Sequence, residues 1–159
     1  LCVVDPGRLR QVLVNLLLNA RDAVGDEPRI AVATYAFAIG EDPEAAFERV
    51  MAGAGVDAGG LPAFGRPAES LALPQGRAVV AVAVIDNGRG IAAEDLARIF
   101  DPFFTTKEPG KGTGLGLAVS ASILEAFGGR LLVQSRPGAG ARFQAWVPGP
   151  GGGEAGPAP

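Results

Sequence analysis

Leu9, Val12, Leu13, Leu16, Ala20 and Val24 recur at spacings of three and four, the period of a helix with one buried face. Asp5 before Pro6 supplies an N-cap and a first-turn proline, and Gly25 a stop, so a helix is predicted over 6–24. Arg8, Gln11, Asn15, Asn19 and Asp22 form a second stripe, flanked on both sides by Leu and Val. So narrow a polar strip must face a polar ligand, water or partner side chains. Residues 29–39 alternate and are rich in β-formers, which predicts a strand. Val79 to Ile85 is an unbroken apolar run and reads as a central strand. Further helices are expected over 92–100 and 115–127, the latter closed by Gly128-Gly129. A hairpin pairs 130–135 with 141–147 across Pro137-Gly138-Ala139-Gly140.

Between the first two strands the texture changes. Residues 40–76 open with Glu41-Asp42-Pro43-Glu44, the start of a short helix through Met51. They continue as a loop with glycine or proline at 53, 55, 59, 60, 62, 65 and 67. The reading is a strand-to-strand insertion without catalytic role. Residues 102–114, with Gly110, Gly112 and Gly114 as hinges, read as a flexible lid, and 148–159 as a disordered tail or linker. The fold class is α/β (α+β): a two-layer sandwich with a mixed sheet, helices on one face, and a single domain over 1–147.

Composition narrows the function classes. The 159 residues are 48% hydrophobic and 19% charged, a globular balance. A net charge of −3 without a basic cluster argues against a nucleic-acid partner. One cysteine, Cys2, suits a reducing cytosol, so a cytoplasmic domain is expected; a membrane anchor on the parent protein is left open. No signal peptide is visible, and the chain opens without Met, as a piece of a longer polypeptide does. The chain has no histidine, which excludes imidazole metal sites, Ser-His-Asp triads and a phosphohistidine of its own.

Four segments carry chemistry. In Val84-Ile85-Asp86-Asn87-Gly88-Arg89-Gly90-Ile91, a buried strand delivers a carboxylate to its tip, followed by backbone free to turn. A carboxylate there accepts a hydrogen bond from an exocyclic amine, selecting adenine over guanine; taken alone, it is also a common turn aspartate. Asn15 and Asn19 offer hard amide oxygens suited to Mg²⁺, or amides satisfied by backbone. Gly112-Thr113-Gly114-Leu115-Gly116 runs into a helix, whose N-terminal N–H groups favour phosphate; many such loops are only turns, and the Walker A spacing is not met. Phe100, Phe103 and Phe104 precede Thr105-Thr106-Lys107; the aromatics pin a loop to the core or meet a partner. Lys107 and Lys111 could neutralise phosphate, Lys111 equally being a surface lysine.

In this order the four segments resemble the N, G and F boxes and the glycine-rich lid of the ATP-binding catalytic domain of sensor histidine kinases. This places the chain in the superfamily shared with gyrase, chaperone and mismatch-repair ATPases. The resemblance covers about 5–29 and 79–147. It implies that Asp86 reads the adenine amino group while Gly88 and Gly90 let backbone approach the base, with Ile91 counted among the ATP-binding positions. Asn19 is then the Mg²⁺ ligand, and Asp22 an outer residue near the metal or a solvated surface acid. Lys107, Gly112, Thr113, Gly114, Leu115 and Gly116 bind the ATP phosphates. Asn15, Asn19 and Lys107 are the catalytic candidates. Position 15 resembles the site of a water-activating Glu in the hydrolysing relatives, and Asn cannot serve as that base.

The implied partners are ATP, a histidine-bearing dimerisation domain of the same parent protein, a downstream response regulator and a second copy of the parent in a homodimer. Two alternatives stand beside the kinase reading. One is an ATP-hydrolysing conformational switch of the gyrase or chaperone type. The other is a degenerate nucleotide-binding module, which intact Asp86, Asn19 and Gly114 argue against.

Overall fold

A computed structural model describes residues 4–53, 71–108 and 112–149. The element order is α1 (Pro6–Ala23), β1 (Ile30–Ala38), α2 (Pro43–Gly53), β2 (Ala78–Asp86), α3 (Ala93–Leu96), α4 (Gly116–Ala126), β3 (Arg130–Arg136) and β4 (Gly140–Pro148). Helix α1 begins as its sequence dictates: Asp5 accepts the Arg8 N–H at 2.8 Å, with Pro6 at the first helical position. The helix expected over 92–100 is regular only from Ala93 to Leu96. The loop over 53–67 lies outside the described residues except for Gly53, the last residue of α2. Lys111, Gly110, Cys2 and residues 150–159 of the tail also lie outside them. No helix among the described residues is long and apolar enough to cross a membrane.

The sandwich is as expected, but its sheet is antiparallel in every pairing rather than mixed. The strand order is β1-β2-β4-β3. A strand–helix–strand sequence such as β2-α3-α4-β3 suggests parallel neighbours. Here β2 and β3 do run in the same direction, but β4 lies between them and pairs antiparallel with both.

The helices also occupy both faces rather than one. On the first face α1 and α4 bury Val12, Leu16, Ala20, Ile123 and Leu124 against Val84, Phe143, Ala145 and Val147. On the second, α2 lays Ala46, Phe47, Val50 and Met51 over Tyr35, Phe37, Ala81, Ala83 and Trp146. The unbroken apolar run of β2 already carried this information. A strand covered on both faces has no polar alternation to show. The inserted helix therefore caps a hydrophobic surface that would otherwise be open.

Candidate functional site

A cavity of about 610 Å³ lies between α1, α4 and the loops at one end of the sheet. It falls within the usual size of small-molecule sites. Asp86 stands at its wall, at the last position of β2, with only 1% of its surface exposed. Its carboxylate accepts N–H groups from Gly88 at 2.9 Å and from Ala141 of β4. Burial pushes its pKa up, and those two hydrogen bonds act in the opposite direction. A carboxylate held this firmly and opening on a cavity offers its free lone pairs to a donor in the ligand.

Two glycines set the loops around Asp86. A Cβ on Gly90, which has φ +69°, would lie 2.0 Å from the Arg136 carbonyl oxygen. A Cβ on Gly140, with φ +97°, would lie 2.0 Å from the carbonyl oxygen of Asp86. The β3–β4 turn and the loop after β2 thus interlock, joined also by the Gly138 N–H to the Arg89 carbonyl at 2.7 Å. Ser135, which sequence reasoning passed over, completes the joint. Its Oγ accepts the Ile91 N–H at 2.9 Å and donates to the Gly140 carbonyl at 2.7 Å.

Asn15, Asn19 and Asp22 of α1 all line the cavity, so the C-terminal part of the polar stripe faces it, while Arg8 and Gln11 lie outside its wall. Asn15 also has a structural duty. Its Nδ2 donates to the Gly116 carbonyl at 3.2 Å and to Ser120 Oγ at 3.1 Å, fixing α1 against the start of α4. Buried Ser120 in turn donates to the Gly116 carbonyl at 2.8 Å. A serine inside a helical apolar pattern gives no signal of this role.

Lys107 lines the same cavity, and its Nζ donates to Asp22 Oδ2 at 2.6 Å. That hydrogen bond first, and the one from Arg21 second, hold the Asp22 carboxyl below its ordinary pKa. Gly112, Thr113, Gly114 and Gly116 face the cavity, together with Thr105 and Thr106. Helix α4 starts here without a side-chain hydrogen bond at its N-cap, Leu115, in contrast to the Asp5 cap of α1. Its first N–H groups therefore present a positive end toward the opening. Gly114 has φ +65°, and a Cβ there would sit 2.3 Å from the Phe103 carbonyl carbon.

Two expected ligand positions are placed differently from the rest. Gly88 is not in the cavity wall: a Cβ there would meet the Ala23 carbonyl oxygen at 2.4 Å, so this glycine lets the loop approach the end of α1. Leu115 is likewise outside the wall and serves as the N-cap of α4. Ile91, Gly90 and Ala92 do line it. Of the three aromatics, Phe100 and Phe104 pack on the core, with the Arg98 guanidinium 4.5 Å from the Phe104 ring centroid. Phe103 instead stands 74% exposed, with φ +68°. Phe143 belongs both to the core and to the cavity wall.

Residues 69–151 match the model of the family described as histidine kinase-, DNA gyrase B- and HSP90-like ATPase. Among similar proteins, the sensor histidine kinase ZraS of Escherichia coli O157:H7 is 39% identical over 144 residues, 91% of this chain and 22% of that protein. The sensor kinase CckA of Brucella abortus is 35% identical over 91% of this chain and 13% of its own length. Among solved structures, the nucleotide-free catalytic domain of the histidine kinase ThkA superposes with a TM-score of 0.56. It is 28% identical and covers 91% of this chain and 69% of its own. Full-length ShkA in complex with AMPPNP gives a TM-score of 0.51 at 27% identity, over 92% of this chain and 23% of that one. The chain belongs to this ATP-binding family, as a catalytic domain of the sensor-histidine-kinase type. It spans about a fifth of the length of ZraS.

Proposed function

We propose that this domain binds Mg-ATP and supports transfer of the γ-phosphoryl group to a histidine on a separate dimerisation domain of the same parent protein. The observation that carries the reading is the meeting of Asp86 and Asn19 in one cavity, 67 positions apart in sequence, beside the N-terminus of α4. Asp86 accepts the adenine amino group, with Gly90 and Ile91 beside it. Gly88 contributes through the N–H that orients the carboxylate. Asn19 supplies an amide oxygen to Mg²⁺, an ion that takes most of its ligands from phosphate and water and needs few from protein. Asp22 lies one turn further along α1 and orders water around that ion or holds Lys107.

The backbone of 112–116 and Lys107 stabilise negative charge on the transferring group, the main task of a phosphoryl-transfer site. The bond from the γ-phosphorus to the ADP oxygen breaks, and a phosphorus–nitrogen bond to the imidazole forms on the other domain. Exposed Phe103 is the residue of this face offered to that domain. Asn15 acts by fixing α4. Its amide N–H groups are engaged with Gly116 and Ser120, an arrangement that does not provide a base for water. A response regulator then takes the phosphoryl group from the histidine, and the parent protein works as a homodimer.

The test is incubation of this chain with labelled Mg-ATP, with and without the dimerisation segment of its parent. An acid-labile phosphate on the segment and none on this chain is expected. An acid-labile phosphate on the isolated chain would contradict the proposal. So would rapid phosphate release by the chain alone that is lost in Asn19→Ala, which indicates a hydrolysing switch.

A further inference from the structure

The sheet face turned away from the cavity carries a buried polar network centred on Arg142, whose side chain is 1% exposed. A guanidinium so buried needs its charge matched and its donors satisfied. Glu44, in the first turn of α2, supplies a two-pronged acceptor: Nη1 donates to Oε1 at 2.9 Å and Nη2 to Oε2 at 2.7 Å. Gln134 Oε1 accepts from Nε at 2.9 Å and from Nη2 at 2.6 Å. The Phe47 ring of α2 lies 4.6 Å from the guanidinium carbon. Gln144 extends the network, donating to Gln134 at 2.9 Å and accepting from Trp146 Nε1 at 3.2 Å and from the Tyr35 hydroxyl.

This network lies directly behind Asp86. Arg142 follows Ala141, whose N–H donates to the Asp86 carboxylate, and it pairs with Ile85, the residue before Asp86. Successive strand residues point to opposite faces, so one short stretch of β4 holds the clamp on one side and the acid on the other. We infer that Glu44 and Arg142 are positioning residues for Asp86, so that the inserted helix α2 sets how the carboxylate meets the adenine amine. Loss of Glu44 leaves a charge buried without its counter-ion, and the guanidinium must move toward water or draw water in. Either change shifts β4 at Arg142 and with it the Ala141 N–H that orients the acid. The inference rests on the ATP reading above and adds to it a function for the segment inserted between β1 and β2.

Calorimetric titration of ATP and of inosine triphosphate, each with Mg²⁺, into the wild type, Glu44→Ala and Glu44→Gln tests it. Inosine triphosphate carries a carbonyl where ATP carries the amine, so the ratio of the two affinities reads Asp86. A general loosening of the domain moves both affinities by one factor. Glu44→Ala is expected to weaken ATP about three- to ten-fold and to shrink the preference for ATP, with Glu44→Gln between it and the wild type. The emission of Trp146, the single tryptophan, reports that each variant remains folded. An unchanged preference in folded Glu44→Ala overturns the inference; if that variant does not fold, an unchanged preference in Glu44→Gln does so. Failure of the wild type to bind ATP would instead remove the functional reading itself.

Discussion

Lys107 Nζ lies 2.6 Å from Asp22 Oδ2, an ion pair that joins the last turn of α1 to the segment after the three phenylalanines. The contact gathers at one edge of the cavity the cation suited to phosphate and the acid suited to water around a metal. With side chains 25% and 30% exposed, it is a partly solvated pair. Its effect on stability is therefore small, and its importance lies in where it keeps the ammonium group.

Lys107→Ala should lower folding stability by less than about 1 kcal/mol. It should raise the ATP dissociation constant about ten-fold or more, because a hydrogen bond to a charged group is lost. Paired thermal melts and ATP titrations check the separation of the two effects. A large stability loss with unchanged ATP affinity would place Lys107 in the scaffold alone.

Asp22 carries a pH signature of definite sign. Its folded pKa is depressed, chiefly by Lys107 and then by Arg21. The stability it contributes is therefore present above its unfolded value and lost as the pH falls through the folded one. The difference in melting temperature between wild type and Asp22→Asn should stay constant from neutral pH down to about pH 4 and fade only below it.

Asp86 has the opposite sign. Burial raises its folded pKa, so the folded state takes up a proton more readily than the unfolded chain. Stability falls as the pH rises through that interval, because the buried acid opposes folding once it is ionised. Asp86→Asn should melt no lower than wild type at neutral pH and give no ATP heat in calorimetry. This combination marks a residue kept for binding at the expense of stability. A variant that lost fold and binding together would contradict it.

Gly140 and Gly138 sit in one turn but differ in surroundings. A Cβ on Gly140 would meet the Asp86 carbonyl oxygen at 2.0 Å, whereas one on Gly138, φ +74°, meets nothing within 4 Å. Gly138→Ala should cost about 1 to 2 kcal/mol, from backbone conformation alone. Gly140→Ala should cost about 2 to 4 kcal/mol, from conformation and overlap together, and should also weaken ATP by displacing Asp86. Denaturant midpoints and ATP titrations of both variants decide it.

Asn15→Glu should not create a hydrolase. The Gly116 carbonyl and Ser120 Oγ now receive the Asn15 amide; a carboxylate there sets acceptor against the carbonyl and could accept only the Ser120 hydroxyl, at the cost of its bond to Gly116. A stability loss of about 1 to 3 kcal/mol is expected, without rapid phosphate release in a coupled phosphate assay.

Much of the site was legible because its chemistry is local in sequence. Asp5-Pro6 fixed the start of α1, the spacing of Asn15, Asn19 and Asp22 put them on one stripe, and Asp86 ended an apolar run. What the sequence left open came from relations between distant segments. Gly88 also lies against the end of α1, a contact that its own neighbours do not announce. Phe100, Phe103 and Phe104 are the same residue type in one short segment. Only the left-handed backbone at Phe103, braced against Gly114, turns that ring outward while the other two go in.

Periodicity, caps and the order of the four segments, read from sequence alone, determined the elements, the family resemblance and the candidate residues, because helices, turns and glycine freedom are set within a few neighbouring residues. Tertiary structure alone decided that β4 enters between β2 and β3, making every pairing antiparallel. It also decided that Lys107 meets Asp22 and that α2 crosses to the far face to match Arg142 with Glu44. Those outcomes depend on which charges and apolar faces find each other across nearly 100 residues. Free energies of burial and pairing settle them only once the whole chain is compact.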